Sequence, residues 1–286
     1  MIQGAAPSDP AAPIGIFDSG VGGLSVWRQV VHLLPGESVL YLADQAHVPY
    51  GNRSQAEIQA FCLAVADLLV AQGCKAIVVA CNTASAVALQ PLRRRFPDLP
   101  ILGLEPAVKP AVALTRSGVV GVMATPATFQ GQLYRATVGR HAVDVRVVEQ
   151  VCIGLADLVE QGDLEGPHCD AALRSYLAPM LAAGADTIVL GCTHYPFVIE
   201  AIRRLVGPSL AVIDPAPAVA RHLGRVLQQR RLALAPGSPD GLHRFFTTGD
   251  PSAFDRAVAR LVGARCRSVP LAWFTSEGPA PRLGAL

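Results

Sequence analysis

The chain lacks any uninterrupted apolar run of about eighteen residues, the length that a membrane-spanning helix needs. Its first thirteen residues contain no lysine or arginine and no apolar core, so they do not match a secretory signal. We therefore expect a water-soluble protein with no membrane partner, and a short disordered tail over residues 1–12. With 286 residues, 51% of them apolar, the chain has enough material to bury one large core or two modest ones.

The sequence also lacks close cysteine pairs, because its seven cysteines are scattered and none forms a C-x-x-C spacing. An odd number of scattered cysteines in a chain of this size indicates free thiols and a reducing, cytoplasmic environment. Cysteine and histidine do not fall into paired ligand spacings, so no metal site is expected. The formal net charge is only +2 and the basic residues are dispersed, so no requirement for nucleic acid is expected.

Short β-branched segments are present instead, and they alternate with helix-like stretches. This alternation predicts an α/β fold with mainly parallel sheets. The continuous apolar character of the strands indicates burial on both faces of each sheet. The predicted strands cover 14–17, 39–42, 76–80, 101–104, 119–123, 145–148, 187–190 and 211–213, and the clearest predicted helices cover 54–71, 83–95, 168–183 and 196–206.

Parts of this pattern occur twice. The segments AQGCKAIVVACNT and AAGADTIVLGCT superpose with Cys81 on Cys192, and IGIFDS (14–19) resembles VGVMAT (120–125). We therefore predict two pseudo-symmetric α/β domains with the active site between them. The first domain would cover 13–104 plus 215–269, the second would cover 105–214, and 270–286 would form a C-terminal tail.

The two repeated cysteines directly follow predicted strands, which is where ligands bind in open parallel sheets. Buried cysteine is by default an inert core residue. A cysteine at the same place in both halves indicates instead two opposed thiols that face one substrate. That arrangement suits the addition or removal of a proton on either face of a carbon atom. The remaining cysteines are interpreted as structural: Cys62, Cys74, Cys152, Cys169 and Cys266.

Polar residues accompany both cysteines. The loop DSGVGG (18–23) follows the first strand, and its free amide groups could bind a carboxylate or phosphate at a helix start. Asn82, Thr83 and Thr193 can hold the carboxylate and ammonium groups of a small zwitterion, although Thr83 taken alone would be a helix N-cap. His194 lies two residues after Cys192, close enough to relay a proton.

Five segments together resemble one known family. They are IGIFDSGVGGLSV, YLADQAHVPYGNRS, ACNTASA, LEPAVKPA and LGCTHYPF, and FFTTGDPSAF resembles the family's C-terminal segment. The family is the bacterial glutamate racemases of the aspartate/glutamate racemase superfamily, and the resemblance covers residues 13–265. It implies interconversion of L- and D-glutamate without a cofactor, a supply of D-glutamate for peptidoglycan synthesis, and a cytoplasmic homodimer.

The resemblance also implies roles for individual residues. Cys81 would exchange the α-proton on the D-glutamate face with support from Asp18, and Cys192 would exchange it on the L-glutamate face with support from His194. Glu160 is the best match to the family's second-half glutamate. The implied substrate contacts are Asp18, Ser19, Asp44, Pro49, Tyr50, Gly51, Asn82, Thr83, Thr193 and His194.

Lysine is scarce, which bears on the cofactor. Pyridoxal phosphate stabilises an amino-acid carbanion from a lysine Schiff base. The chain has only Lys75, which opens a predicted buried strand, and Lys109, which precedes Pro110. Neither position suits a cofactor, so we expect none. Two alternatives stay open: another two-cysteine enzyme of the superfamily, acting on aspartate, a hydantoin or an arylmalonate, and a non-catalytic protein that senses an amino acid.

Overall fold

The computed structural model describes residues 9–274 and 281–285. The strands are β1 (Ile14–Asp18), β2 (Val39–Ala43), β3 (Ala76–Val79), β4 (Ile101–Gly103), β5 (Val119–Ala124), β6 (Arg146–Val151), β7 (Thr187–Gly191), β8 (Ala211–Ile213), β9 (His243–Thr247), β10 (Val269–Phe274) and β11 (Arg282–Ala285). The helices are α1 (Leu24–Leu33), α2 (Gln55–Ala71), α3 (Asn82–Arg95), α4 (Val108–Leu114), α5 (Pro126–Gln130), α6 (Gln132–His141), α7 (Leu155–Gln161), α8 (Pro167–Ala182), α9 (Ile199–Val206), α10 (Ala216–Gln229) and α11 (Pro251–Val262). Short 3-10 turns lie at Gln45–His47, Tyr50–Asn52 and Tyr195–Val198.

The strands form two sheets, which confirms the predicted α/β class. The first has seven strands in the order β11-β10-β9-β2-β1-β3-β4, and the second has four in the order β6-β5-β7-β8. All paired strands run parallel except β10 and β11. The register places Ile16 between Tyr41 and Val78, and the equivalent Val122 between Glu149 and Val189.

Helices cover both faces of the first sheet. On one face, α1, α10 and α11 enclose a core that includes Trp27, Leu223 and Phe254. On the other face, α2 and α3 enclose a core that includes Val65 and Leu92. Every residue of β1 and β3 is buried, as their continuous apolar sequences predict. Burial of each isoleucine, valine or phenylalanine side chain in these strands stabilises the fold by about 1.5–3 kcal/mol relative to exposure.

Local sequence explains where helices begin beside the sheet. Helix α2 starts with a capping box, in which the Ser54 hydroxyl accepts from the Glu57 N–H and the Glu57 carboxylate accepts from the Ser54 N–H. Helix α3 starts at Cys81, whose thiol sulfur accepts from the Ala84 N–H at 3.5 Å. The capping role places this thiol at the end of β3, between the sheet and the first turn of the helix.

The ends of the chain differ from the sequence expectation. Strand β10 pairs parallel with β9, and β11 pairs antiparallel with β10, so part of the expected C-terminal tail extends the first sheet. Residues 275–280 and 286 lie outside the described residues. So do residues 1–8 of the expected disordered tail, whereas residues 10–12 form a turn. The Pro10 carbonyl in this turn accepts a hydrogen bond from the buried Lys75 ammonium.

Two further differences concern strands. The sequence analysis did not predict β9, a short HRFFT segment after a long Pro/Gly-rich loop. Strand β6 continues to Val151, past its predicted end. Glu149 and Gln150 interrupt the apolar pattern of the sequence, but their backbones still pair with β5.

Lys75 lies at the N-terminal end of β3, where its ammonium group forms an ion pair with buried Glu37 at 2.5 Å. Among the described residues, no helix is long and apolar enough to cross a membrane.

Candidate active site

The carboxyl ends of three central strands bring the predicted catalytic residues together. Asp18 is the last residue of β1, Cys81 follows β3 after one residue, and Cys192 directly follows β7. All three side chains are buried. The two thiols are close enough that a negative charge on Cys192 raises the pKa of Cys81. The structure therefore places one cysteine of each half in a shared site between the two sheets.

Cys81 lies against the Asp18 carboxyl group. Burial and the negative charge of Asp18 raise the pKa of the Cys81 thiol well above its usual value. Burial also raises the pKa of Asp18, although the nearby His194 and a hydrogen bond with Cys81 oppose that shift. The Asp18 carboxylate accepts from the Gly23 N–H at 2.6 Å and from the Thr193 hydroxyl at 3.4 Å. This side of the site thus holds two groups that favour their protonated forms.

Cys192 has a different partner. Its sulfur lies 3.7 Å from Nδ1 of His194, and Nε2 of the same imidazole lies 2.7 Å from Oε1 of Glu160. Burial lowers the His194 pKa, but the hydrogen bonds to Cys192 and Glu160 outweigh it, so the pKa is raised well above its usual value. For Glu160, burial raises the pKa, but the hydrogen bond to His194, the charge of His194 and the hydrogen bonds from Val21 and Gln45 together outweigh it, so the pKa is lowered. Both shifts favour a pair made of an imidazolium and a carboxylate.

The glycine-rich loop after β1 binds the protein's own carboxylates. The Val21 N–H donates to Oε1 of Glu160 at 2.8 Å, and the Gly23 N–H donates to Asp18. A Cβ on Gly20 would lie 1.9 Å from the Glu160 carboxylate, and a Cβ on Gly22 would lie 2.4 Å from the His194 ring. Glycine at these two positions therefore allows Glu160 and His194 of the second half to approach the backbone of the loop closely. The anions bound by this loop are therefore the carboxylates of Glu160 and Asp18, which belong to the chain itself.

Residues after the two cysteines face the same region. Asn82 is buried, and neither polar atom of its side chain has a hydrogen-bond partner among the described residues. A buried amide without a partner costs free energy, which favours a ligand as its natural partner. The Thr83 hydroxyl lies 3.0 Å from the Thr125 hydroxyl of the second half. Cys81 occupies the helix N-cap, so Thr83 is not the cap that the sequence alone would favour.

The loop after β2 brings Tyr50 into the buried region. The Tyr50 hydroxyl donates to Oδ2 of Asp44 at 2.7 Å, and the His47 ring lies 2.9 Å from the same oxygen. The other carboxylate oxygen accepts from the Thr248 hydroxyl at 2.9 Å and from the Trp273 indole N–H at 2.7 Å. Both Asp44 oxygens are therefore occupied by the protein. Asp44 thus holds Tyr50 in place, and its contact with a substrate stays a prediction.

The remaining predicted contacts lie around these groups. Ser19 is buried beside Asp18, with its hydroxyl 3.5 Å from the carboxylate. Pro49 follows Val48 through a cis peptide bond and leads into Tyr50, and Gly51 approaches Thr125 so that a Cβ would lie 3.4 Å from the threonine side chain. Thr193 is buried, and its carbonyl accepts from the Ser25 hydroxyl at 2.9 Å. These contacts join the two halves around one site.

Sequence reasoning missed several residues at the site. Thr125 occupies the position that corresponds to Ser19 in the internal repeat, so the repeat itself carried a signal for it. Gln45 contacts Glu160 from the first half, and Trp273 contacts Asp44 from β10. Gln45 lies in the segment YLADQAHVPYGNRS but had no role assigned to it, and no motif marked Trp273; each reaches the site through contacts between distant parts of the chain. No cluster of potential metal ligands occurs among residues 9–274 and 281–285.

Comparisons with known proteins identify the family of this chain. A family model described as Asp/Glu/Hydantoin racemase matches residues 14–223. A glutamate racemase from Roseiflexus sp. (strain RS-1) is 52% identical over 251 residues, 88% of this chain and 92% of the relative. The structure of glutamate racemase isoform RacE1 from Bacillus anthracis has a TM-score of 0.81 and 32% identity, covering 91% of this chain and 97% of its own. The glutamate racemase from Francisella tularensis subsp. tularensis SCHU S4, in complex with D-glutamate, has a TM-score of 0.79 and 30% identity, covering 91% and 96%.

The fold and the family match define the class of protein. The chain belongs to the Asp/Glu/Hydantoin racemase family and is therefore an isomerase. Within that family it groups with the glutamate racemases, as relatives at about half identity and solved structures above 30% identity both indicate.

Proposed function

We propose that the chain interconverts L-glutamate and D-glutamate by proton transfer between two thiols, without a cofactor. The observation that carries the proposal is the pair Cys81 and Cys192 at the carboxyl ends of β3 and β7, each beside its own acid-base partner. Glutamate is the substrate named for the relatives, and D-glutamate is bound in the structure from Francisella tularensis.

In the L-to-D direction, a Cys192 thiolate removes the α-proton from one face of L-glutamate. The C–H electron pair stays on the substrate, and Cys81 donates its thiol proton to the opposite face. The products are D-glutamate, a Cys192 thiol and a Cys81 thiolate, so charge and protons balance. The His194 imidazolium at 3.7 Å stabilises a thiolate at Cys192. The raised pKa of Cys81 fits the proton donor of this direction.

The reverse direction uses the same groups in opposite roles. A Cys81 thiolate takes the α-proton of D-glutamate, and Cys192 donates to the other face. Asp18, whose pKa is raised, can receive the Cys81 proton and return it. We assign the substrate carboxylate and ammonium groups to Ser19, Asn82, Thr83 and Thr193 with the Tyr50–Gly51 turn, since these surround the two thiols. Asp44 acts through Tyr50.

Independence from pyridoxal phosphate rests on the lysines. Lys75 is buried in an ion pair with Glu37 at the N-terminal end of β3. The Cys81 thiol lies at the opposite, C-terminal end of the same strand. Lys109 is exposed on α4. In a bacterial cytoplasm the product D-glutamate would enter peptidoglycan synthesis, and we propose a homodimer that requires no nucleic acid.

The test is circular dichroism of D-glutamate incubated with the purified protein under reducing conditions, without added pyridoxal phosphate. Loss of the optical signal is expected with glutamate, and an unchanged signal with aspartate run in parallel. Loss with aspartate alone would favour the sister racemase activity. No change with either amino acid would contradict the proposal and favour an amino-acid-sensing role.

A further inference from the structure

One side chain of the first half contacts the acid-base pair of the second half. Gln45 lies in the 3-10 turn after β2, and its Nε2 donates to Oε2 of Glu160 at 3.2 Å. The other Glu160 oxygen contacts Nε2 of His194 at 2.7 Å, and His194 in turn faces Cys192. A continuous series of polar contacts therefore runs from Gln45 to one of the two thiols.

The orientation of the Gln45 amide is determined by its other partners. Thr247 is fully buried at the end of β9, and its hydroxyl oxygen accepts from the Gly249 N–H at 3.0 Å. The hydroxyl proton is thus available for the Gln45 carbonyl oxygen, 2.9 Å away. This directs the amide NH₂ toward Glu160. The reverse orientation would place a carbonyl oxygen against a carboxylate, which is unfavourable.

Two donors from the first half therefore hold the Glu160 carboxylate, one on each oxygen. The Val21 N–H holds Oε1 and the Gln45 amide holds Oε2, so the carboxylate cannot rotate away from His194. Bonds to both oxygens define the plane of the carboxylate, whereas a single bond would leave it free to turn. On the Cys81 side, the Gly23 N–H of the same loop and the Thr193 hydroxyl of the second half both donate to Oδ2 of Asp18.

We infer that Gln45, oriented by Thr247, is a positioning residue. It holds the side chains of Glu160 and His194 in place beside the Cys192 thiol. The inference rests on the proposed two-thiol function. It predicts an effect confined to proton transfer at Cys192. Because L- and D-glutamate have equal free energies, kcat/KM must stay equal in the two directions in every variant. A one-sided effect is therefore measured with substrates deuterated at Cα.

The experiment compares Gln45→Met and Thr247→Val with the wild type and with Gln59→Met. Gln59 is a matched control, because it is also half-buried and its side-chain amide makes one hydrogen bond, to the Val87 carbonyl, outside the site. Racemisation is followed by circular dichroism with α-deuterated L-glutamate and α-deuterated D-glutamate. A loss of kcat by about ten-fold is expected for Gln45→Met, with KM within about two-fold.

The isotope effects decide the role. If Gln45 positions the Cys192 side, the primary isotope effect rises for deuterated L-glutamate and falls for deuterated D-glutamate in Gln45→Met. Thr247→Val shows the same direction to a smaller extent, and Gln59→Met matches the wild type. Isotope effects unchanged from the wild type, or changed equally for both substrates, would overturn the inference even if activity falls. A wild-type protein without racemisation would instead contradict the proposed function itself.

Discussion

The two cysteines come from equivalent positions of an internal repeat, yet their surroundings differ. Cys81 faces Asp18, and both groups are buried with raised pKa values. Cys192 faces His194, which forms an ion pair with Glu160. One side of the site is thus built to keep protons, and the other side is built to stabilise negative charge on sulfur.

Under the proposed two-thiol mechanism, this difference explains how a repeat can yield a two-base site. Duplication supplies two strand ends and two thiols, but two identical surroundings would give both thiols the same preference for the proton. Transfer between opposite faces needs one thiol and one thiolate at the start of each turnover. Divergence of the neighbours, a carboxyl group on one side and an imidazolium on the other, sets that initial state.

The largest effect is expected from removal of either thiol. Cys81→Ala and Cys192→Ala should each lower racemisation by about 10³-fold or more, because each removes one of two required proton carriers. Exchange of the α-proton with solvent should separate the two variants. Cys81→Ala should retain exchange from L-glutamate, and Cys192→Ala should retain exchange from D-glutamate, as measured by proton NMR in D₂O.

A structural cysteine serves as the control for this pair. Cys62 is fully buried in the core beneath α2, and Cys62→Ala should retain racemisation while lowering stability. Full racemisation by Cys81→Ala would show that the two sides do not share the reaction.

The next effect distinguishes the two carboxyl groups. Asp18→Asn and Glu160→Gln should each slow racemisation by about 100-fold, since each disturbs the partner of one thiol. Their effects on stability should have opposite signs at pH 7. Glu160→Gln leaves His194 without its carboxylate and should cost about 3 kcal/mol. Asp18→Asn removes a buried group that resists ionisation and should stabilise by about 1 kcal/mol.

The pH dependence follows from the two pKa directions. Glu160 has a lowered pKa, so its stabilisation is present above the unfolded value of about 4.3 and is lost as the pH falls through the folded value. Asp18 has a raised pKa, so its stabilisation is present below about 3.9 and is lost as the pH rises through the folded value. Thermal unfolding between about pH 2 and pH 8 covers both windows. Equal shifts in Tm for the two variants across this range would contradict the assigned difference.

Much of this site was predictable from the sequence, for a physical reason. Strand ends of parallel sheets converge, so a cysteine after each repeated strand predicts two neighbouring thiols. The repeat also relates Thr125 to Ser19. The partners of Asp44 were not predictable, because Trp273 reaches it across 229 positions of sequence. Strand β10 was expected as part of a tail, since its membership of the sheet depends on β9, which no pattern revealed.

A smaller effect should follow from a methyl group at the contact between the halves. In Gly22→Ala the new Cβ would lie 2.4 Å from His194 Nδ1 and 2.7 Å from the Thr193 hydroxyl, so both side chains must shift from their positions beside Cys192 or the loop must move. A loss of kcat/KM by about ten-fold is expected. Gly139→Ala is the control: Gly139 is exposed in α6 with open space around its Cα, and the substitution should stabilise by about 0.5–1 kcal/mol with unchanged kinetics. Comparable kinetics for the two variants would show that the loop does not constrain His194.

The smallest effect on activity is expected from Trp273→Phe. This substitution tests whether the hydrogen bond from Trp273 to Asp44 helps to hold Tyr50 in place on the Cys81 side of the site. The substitution keeps an aromatic ring against His47 and Phe61 but removes the indole N–H donor to Asp44. Because Asp44 keeps three other donors, racemisation should change by less than about three-fold. Stability should fall by about 1.5 kcal/mol, the lower range for a hydrogen bond to a charged group, as measured by urea unfolding. An unchanged unfolding midpoint would show that β10 does not support the Tyr50 loop and that the carboxylate is held by the remaining donors alone.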